Sequence, residues 1–182
     1  WVWVKHLDRG PAAHLPASTE LTPQAWSPDG KRLLMTTMTG MVVVPSDGSA
    51  PPAQVHAGRS KASFAEFSAD GKWIVYVHGD SIYAMSSGAD TTRRLLVAGA
   101  RPRGPTVSPN GRWLAYSSDE SGRAEVYVRP FSESKAFTRQ VSVAGGSAPR
   151  WSHDGRELFF VDDTRSMVAT PIASGETLVI GE

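Results

Sequence analysis

Four gapless segments recurring roughly every 42 residues, a second column of short apolar strands at the same period, and no sustained 3.6-residue apolar periodicity together predict an all-β chain. The architecture they point to is a β-propeller of four-stranded antiparallel blades, with four complete repeats plus two strands of a partial blade. The expected division is a partial blade over 1–20 and blades over about 24–58, 64–98, 104–143 and 148–182. All lie in one propeller region, expected to be part of a larger propeller.

The first column begins at residues 26, 67, 107 and 151. It reads Trp26-Ser-Pro-Asp-Gly-Lys-Arg-Leu-Leu, Phe67-Ser-Ala-Asp-Gly-Lys-Trp-Ile-Val, Val107-Ser-Pro-Asn-Gly-Arg-Trp-Leu-Ala and Trp151-Ser-His-Asp-Gly-Arg-Glu-Leu-Phe. The leading apolar residue ends a short inner strand and is expected to wedge between blades. Asp29-Gly30, Asp70-Gly71, Asn110-Gly111 and Asp154-Gly155 read as tight hairpin turns with both central residues at φ > 0. The serines before them can bond the turn backbone. Apolar strands follow at Leu33 to Thr36, Ile74 to Val77, Leu114 to Ser117 and Leu158 to Val161.

The second column is Met41-Val-Val-Val-Pro45, Ile82-Tyr-Ala-Met85, Val126-Tyr-Val-Arg-Pro130 and Met167-Val-Ala-Thr-Pro171, and Val2-Trp3-Val4-Lys5 fits it at the start of the chain. Gly- and Ser-rich turns then lead to a weaker outer strand. Two further strands, Trp1 to Leu7 and Ala12 to Leu15, match the outer half of a preceding blade whose inner strands are missing. An open arc is therefore expected, with the Trp1 to Val4 edge a template for self-association.

Composition narrows the function. The 182 residues are 40 % apolar and 20 % charged, with 17 Gly and 13 Pro, which suits many short strands. A net charge of +1 supplies no electrostatic drive toward nucleic acid or an anionic membrane. No apolar run approaches the length of a bilayer span. With no cysteine, disulfides, thiolate metal sites and a thiol nucleophile are excluded. The first residue is Trp, and no signal sequence precedes it, so a processed chain or a fragment is expected.

The repeats resemble the TolB-like, WD-like β-propeller repeats of bacteria over nearly the whole chain. The run from Ser118 through Val126-Tyr-Val-Arg-Pro-Phe131 and the Gly145-Gly-Ser-Ala-Pro-Arg-Trp151 run carry the resemblance most specifically. Such repeats occur after bacterial Ser/Thr kinase or winged-helix domains and in stand-alone TolB-like proteins. Val107 in place of an aromatic, Ala69 and His153 in place of Pro, and Val42 and Val168 in place of Tyr depart from the pattern.

Sites of chemistry are sparse. His6, His14, His56, His78 and His153 show no metal-ligand spacing and read as surface turns. Asp29, Asp70 and Asp154 are explained by turn chemistry, and Asn110 fills the fourth place. Asp162-Asp163 and Asp119-Glu120 read as solvated loops. There is no Gly-x-Ser-x-Gly elbow and no Gly-rich phosphate loop, so neither a hydrolase nor a cofactor is expected. Arg93-Arg94 to Arg103 reads as a solvated basic loop, and Trp73 and Trp113 as inter-blade packing. The starts of the inner strands remain: Gln24, Glu66, Arg103 and Arg150 are the candidate ligand-binding residues. The expected function is a non-catalytic module recognising a protein or peptide in a bacterial signalling or TolB-like context. The alternative is the gating propeller of a prolyl-oligopeptidase-type serine peptidase, whose catalytic domain lies outside this sequence.

Overall fold

A computed structural model describes residues 2–6, 9–15, 21–57, 61–88, 92–132, 137–174 and 177–181. A hairpin of β1 (Trp3–His6) and β2 (Arg9–His14) precedes four antiparallel sheets of four strands each. The first sheet holds β3 (Thr22–Trp26), β4 (Arg32–Thr37), β5 (Gly40–Pro45) and β6 (Ala53–Ala57). The second holds β7 (Ala62–Phe67), β8 (Trp73–His78), β9 (Ser81–Ser86) and β10 (Arg93–Ala98). The third holds β11 (Arg103–Val107), β12 (Trp113–Ser118), β13 (Glu125–Pro130) and β14 (Arg139–Gln140). The fourth holds β15 (Ser147–Trp151), β16 (Glu157–Val161), β17 (Met167–Ser174) and β18 (Leu178–Ile180). In each sheet the strands pair in chain order, the meander of a propeller blade. No helix occurs among the described residues, and none could cross a membrane.

Strand alternation builds the core, because the second and third sheets each have neighbours on both faces. Leu114 and Tyr116 of β12 pack on Val75, Val77 and Ile82 of the second sheet. Trp113 and Ala115, one residue out of phase, pack on Leu158, Phe160 and Ile172 of the fourth. Leu34, Met41 and Val43 meet Phe67, Ile74 and Tyr76 in the same way, and Val4 and Leu15 of the hairpin cover Leu33, Met35 and Val44. Among the described residues, every extensive contact between four-stranded sheets joins consecutive ones.

The wedge column splits on this account. Phe67 and Val107 are each 6 % exposed, whereas Trp26 is 49 % exposed. Trp26 faces the side covered only by the hairpin, and the hairpin packs further out, on Leu33 and Val44. Trp3 of β1 is likewise exposed, while Val4 is buried.

The turns correct one expectation. Only the glycines, Gly30, Gly71, Gly111 and Gly155, take positive φ (68° to 72°); Asp29, Asp70, Asn110 and Asp154 do not. Gly30 N–H bonds back to Ser27 O at 2.9 Å, so Ser27-Pro-Asp-Gly30 is a type I turn ending on a left-handed glycine. Pro28 suits the second place of such a turn and could not adopt φ > 0. Ser27 Oγ donates to Asp29 Oδ1 at 2.5 Å and accepts Arg32 N–H at 2.9 Å, while Lys31 N–H donates to Asp29 at 3.1 Å. These bonds hold the Asp29 carboxyl below its ordinary pKa. The same set recurs at Ser68, Ser108 and Ser152.

Two further expectations give way. Of the histidines, only His153 sits in a turn. His6 and His14 lie on the hairpin strands, and His56 (β6) and His78 (β8) meet between the first two sheets, their ring centroids 6.0 Å apart. Arg94 is not a freely solvated loop residue: it is half-buried on β10, and its guanidinium lies 5.1 Å from both the Trp73 and Phe131 rings.

Candidate functional site

The inner strands β3, β7, β11 and β15 run side by side, and their starting segments converge on one recess. A local irregularity shapes it. In β7, β11 and β15 the pairing slips between Ser63 and Glu66, between Arg103 and Thr106, and between Ser147 and Arg150. The residue after the first of each pair, Phe64 (φ 51°), Gly104 (φ 55°) or Ala148 (φ 52°), is left-handed. Such bulges re-aim side chains at the rims of sheets and beside binding sites. A non-glycine residue held at φ > 0 costs about 1–3 kcal/mol, so Phe64 and Ala148 mark a conformation that the rest of the fold enforces. In β3 the corresponding residue is Pro23, whose ring forbids φ > 0. There the slip falls between Pro23 and Ala25, leaving Gln24 as the extra residue.

The recess is lined by Pro23, Gln24, Phe64, Glu66, Pro105 and Arg150 among others, and its volume is about 190 Å³. Glu66 is its electrostatic centre. Thr106 Oγ1 donates to Glu66 Oε1 at 2.6 Å, and Arg150 Nη1 stands 3.4 Å from Oε2. Burial pushes the Glu66 pKa up, and the Thr106 hydroxyl and Arg150 charge oppose that without cancelling it. Arg150 keeps most of its side chain exposed, as does Phe64 at the rim. Gln24 accepts Ala65 N–H at 3.3 Å from the second sheet, and its amide donates to Thr36 Oγ1 and Pro23 O. Trp151 Nε1–H donates to Thr106 O at 3.3 Å. The residues that line the recess therefore also tie consecutive sheets together.

Gln24, Glu66 and Arg150 meet here; Arg103 does not. It pairs with Ser117 at the far side of the bulge, and Thr106 stands where Glu66 and Arg150 stand in their repeats, one residue before the wedge column. Thr106 and Phe64 are the residues that strand-start reasoning missed. Counting back from Trp26, Phe67, Val107 and Trp151 finds Ala25, Glu66, Thr106 and Arg150; counting forward from a strand start fails because the bulge inserts a residue. Among the described residues, no three His, Asp or Glu side chains gather to hold a metal ion.

No protein-family model and no curated protein sequence matches the chain. Solved structures do. A putative TolB from Agrobacterium tumefaciens superposes with a TM-score of 0.73 at 19 % identity, over 91 % of this chain and 67 % of that one. The fold is that of a β-propeller. TolB from Acinetobacter baumannii gives 0.71 at 18 % identity, over 96 % of this chain and 46 % of its own. The Myceliophteria thermophila Cps50 (Swd1) propeller domain gives 0.65 at 15 % identity, over 88 % and 58 %. The chain thus spans about two thirds of the Agrobacterium protein and less than half of the Acinetobacter one. Within this propeller, the recess lies where the innermost strands of all four sheets come together.

Proposed function

We propose that the chain is a non-catalytic recognition module that receives one side chain of an extended protein or peptide partner in the inner-strand recess. The observation that carries this reading is the convergence of Glu66, Thr106, Arg150 and an exposed Phe64 on bulged strands from three sheets. At about 190 Å³ the recess is smaller than the ~300–1,000 Å³ typical of small-molecule sites, and it fits a side chain better than a whole metabolite. Glu66 orients the guanidinium of Arg150 from one side and leaves its other donors to a partner's carboxylate or carbonyl. Phe64 offers an apolar shoulder beside them. Propeller folds host enzymes as well as binders, so the reading rests on this site and not on the architecture. The TolB-like fold supports a setting in a bacterial envelope or signalling assembly.

Selection of a displayed peptide library on the intact chain tests it. Peptides that enrich should lose binding to Arg150→Glu and Phe64→Ser and keep it with Arg139→Glu. Enriched peptides indifferent to both recess substitutions, or no enrichment at all, would refute the proposal.

A further inference from the structure

We propose that the seam between the third and fourth sheets is a second ligand site, for a small molecule with a planar aromatic body and an anionic group. The seam between the second and third sheets shows what that place accepts. There Trp73 and Phe131 stand edge to face at 5.8 Å, and the flat guanidinium of Arg94 lies against both rings. Arg94 is fixed by donating to Ser132 O at 3.0 Å and Phe131 O at 3.1 Å.

One repeat later the register is the same. Trp113 replaces Trp73, and Arg139, paired with Val128 as Arg94 is paired with Ala84, replaces Arg94. Ile172 stands in the place of Phe131. Ile172 is not planar, and the ring beside Trp113 is Phe137, 6.3 Å away, with the Arg139 guanidinium 5.7 Å from it. A half-open cavity of about 560 Å³ remains, lined by Arg112, Trp113, Pro130, Phe137, Arg139 and Leu178 among others. Its size is in the small-molecule range. Trp113, 4 % exposed in the cavity wall, has a buried Nε1–H with no acceptor, and such a donor is costly to leave unpaired. The Trp113 and Phe137 rings in its wall, 6.3 Å apart, suit a flat aromatic body. Charge decides its sign: with Arg112 and Arg139 at the rim, an anion is attracted and a second cation repelled.

Anilinonaphthalene sulfonate, a planar aromatic anion with its own fluorescence, is the probe. Titrated onto the intact chain, it should saturate one site. Arg139→Glu and Phe137→Ser, both at exposed positions, should each weaken it about tenfold. Glu66→Gln should leave dye binding unchanged, which separates this site from the recess. Dye uptake that does not saturate, or that Arg139→Glu and Phe137→Ser leave at the wild-type level, overturns the proposal.

Discussion

Trp73 and Trp113 occupy the same place in consecutive repeats, yet Trp73 is half-buried under the Arg94 guanidinium, whereas Trp113 is 4 % exposed and walls a cavity of about 560 Å³. The backbones around them are equivalent: the same serine-capped turn precedes each, and the same antiparallel ladder follows. The two differ in the ring beside the tryptophan: Phe131 of the next repeat stands against Trp73, and Phe137 of its own repeat against Trp113. The repeat pattern therefore fixes strands and turns, while single side chains at the seams decide which interfaces are packed and which can receive a ligand.

The most damaging substitution should be Phe131→Ala. It removes a buried ring that packs on both Trp73 and Arg94, and should cost about 3–5 kcal/mol in urea unfolding. Phe137→Ala, at the exposed ring of the open seam, should stay within about 0.5 kcal/mol of wild type. Equal losses at the two positions would remove the distinction between the seams. Next in size is Gly71→Val, where a β-branched residue must take φ 70°, at a cost of about 1–3 kcal/mol. The partner variant Asp70→Asn should be near neutral, because Asn110 makes the same bonds in the third repeat. Arg94→Ala follows, at about 1–2 kcal/mol from the lost stacking and stem packing, against about 0.5 kcal/mol or less for Arg139→Ala.

The smallest effect belongs to the first seam. His56 faces Tyr76 and His78 of β8 and feels the charge of Arg93 of β10, which lies over the Tyr83 ring, and its Nε2 is buried with no partner. Burial, then the Arg93 charge and His78, lower its pKa below the ordinary 6.5. A histidine that resists protonation when folded stabilises the fold above pH 6.5, and that contribution fades as pH falls through 6.5 toward the lowered value. Urea midpoints should therefore drop on acidification across this window, and His56→Gln should flatten the drop. A pH profile that His56→Gln does not change would assign the effect elsewhere.

The blades were legible in the sequence because turn chemistry and strand alternation act locally: Ser27, Asp29 and Gly30 make their bonds within a few residues. The turn type was not legible because Asp-Gly alone suggests a two-residue hairpin, whereas the loop closed by Ser27 N–H to Arg32 O holds four residues, and it recurs at Ser68 and Ser152 with no proline after the serine. The candidate site was half legible. Glu66 and Arg150 lie one residue before a visible column, but Phe64 reaches the recess only through a left-handed bulge, and nothing local marks Ser63-Phe64-Ala65 as bulged. Arg94 reads as a solvated loop residue because its two rings lie far off in the chain, Trp73 on β8 and Phe131 just after β13 of the next sheet. Long-range placement of that kind has no signature in residue spacing.

The central claim is that recognition occurs at the inner-strand recess. Amide chemical-shift mapping of the labelled chain, with and without a peptide selected on it, tests this most directly. The account predicts perturbations gathered at Gln24, Phe64 to Glu66, Gly104 to Thr106 and Ala148 to Arg150, with Gly111 to Trp113 and Phe137 to Arg139 unmoved. Shifts confined to the seam or to the outer strands, with the recess silent, would contradict it.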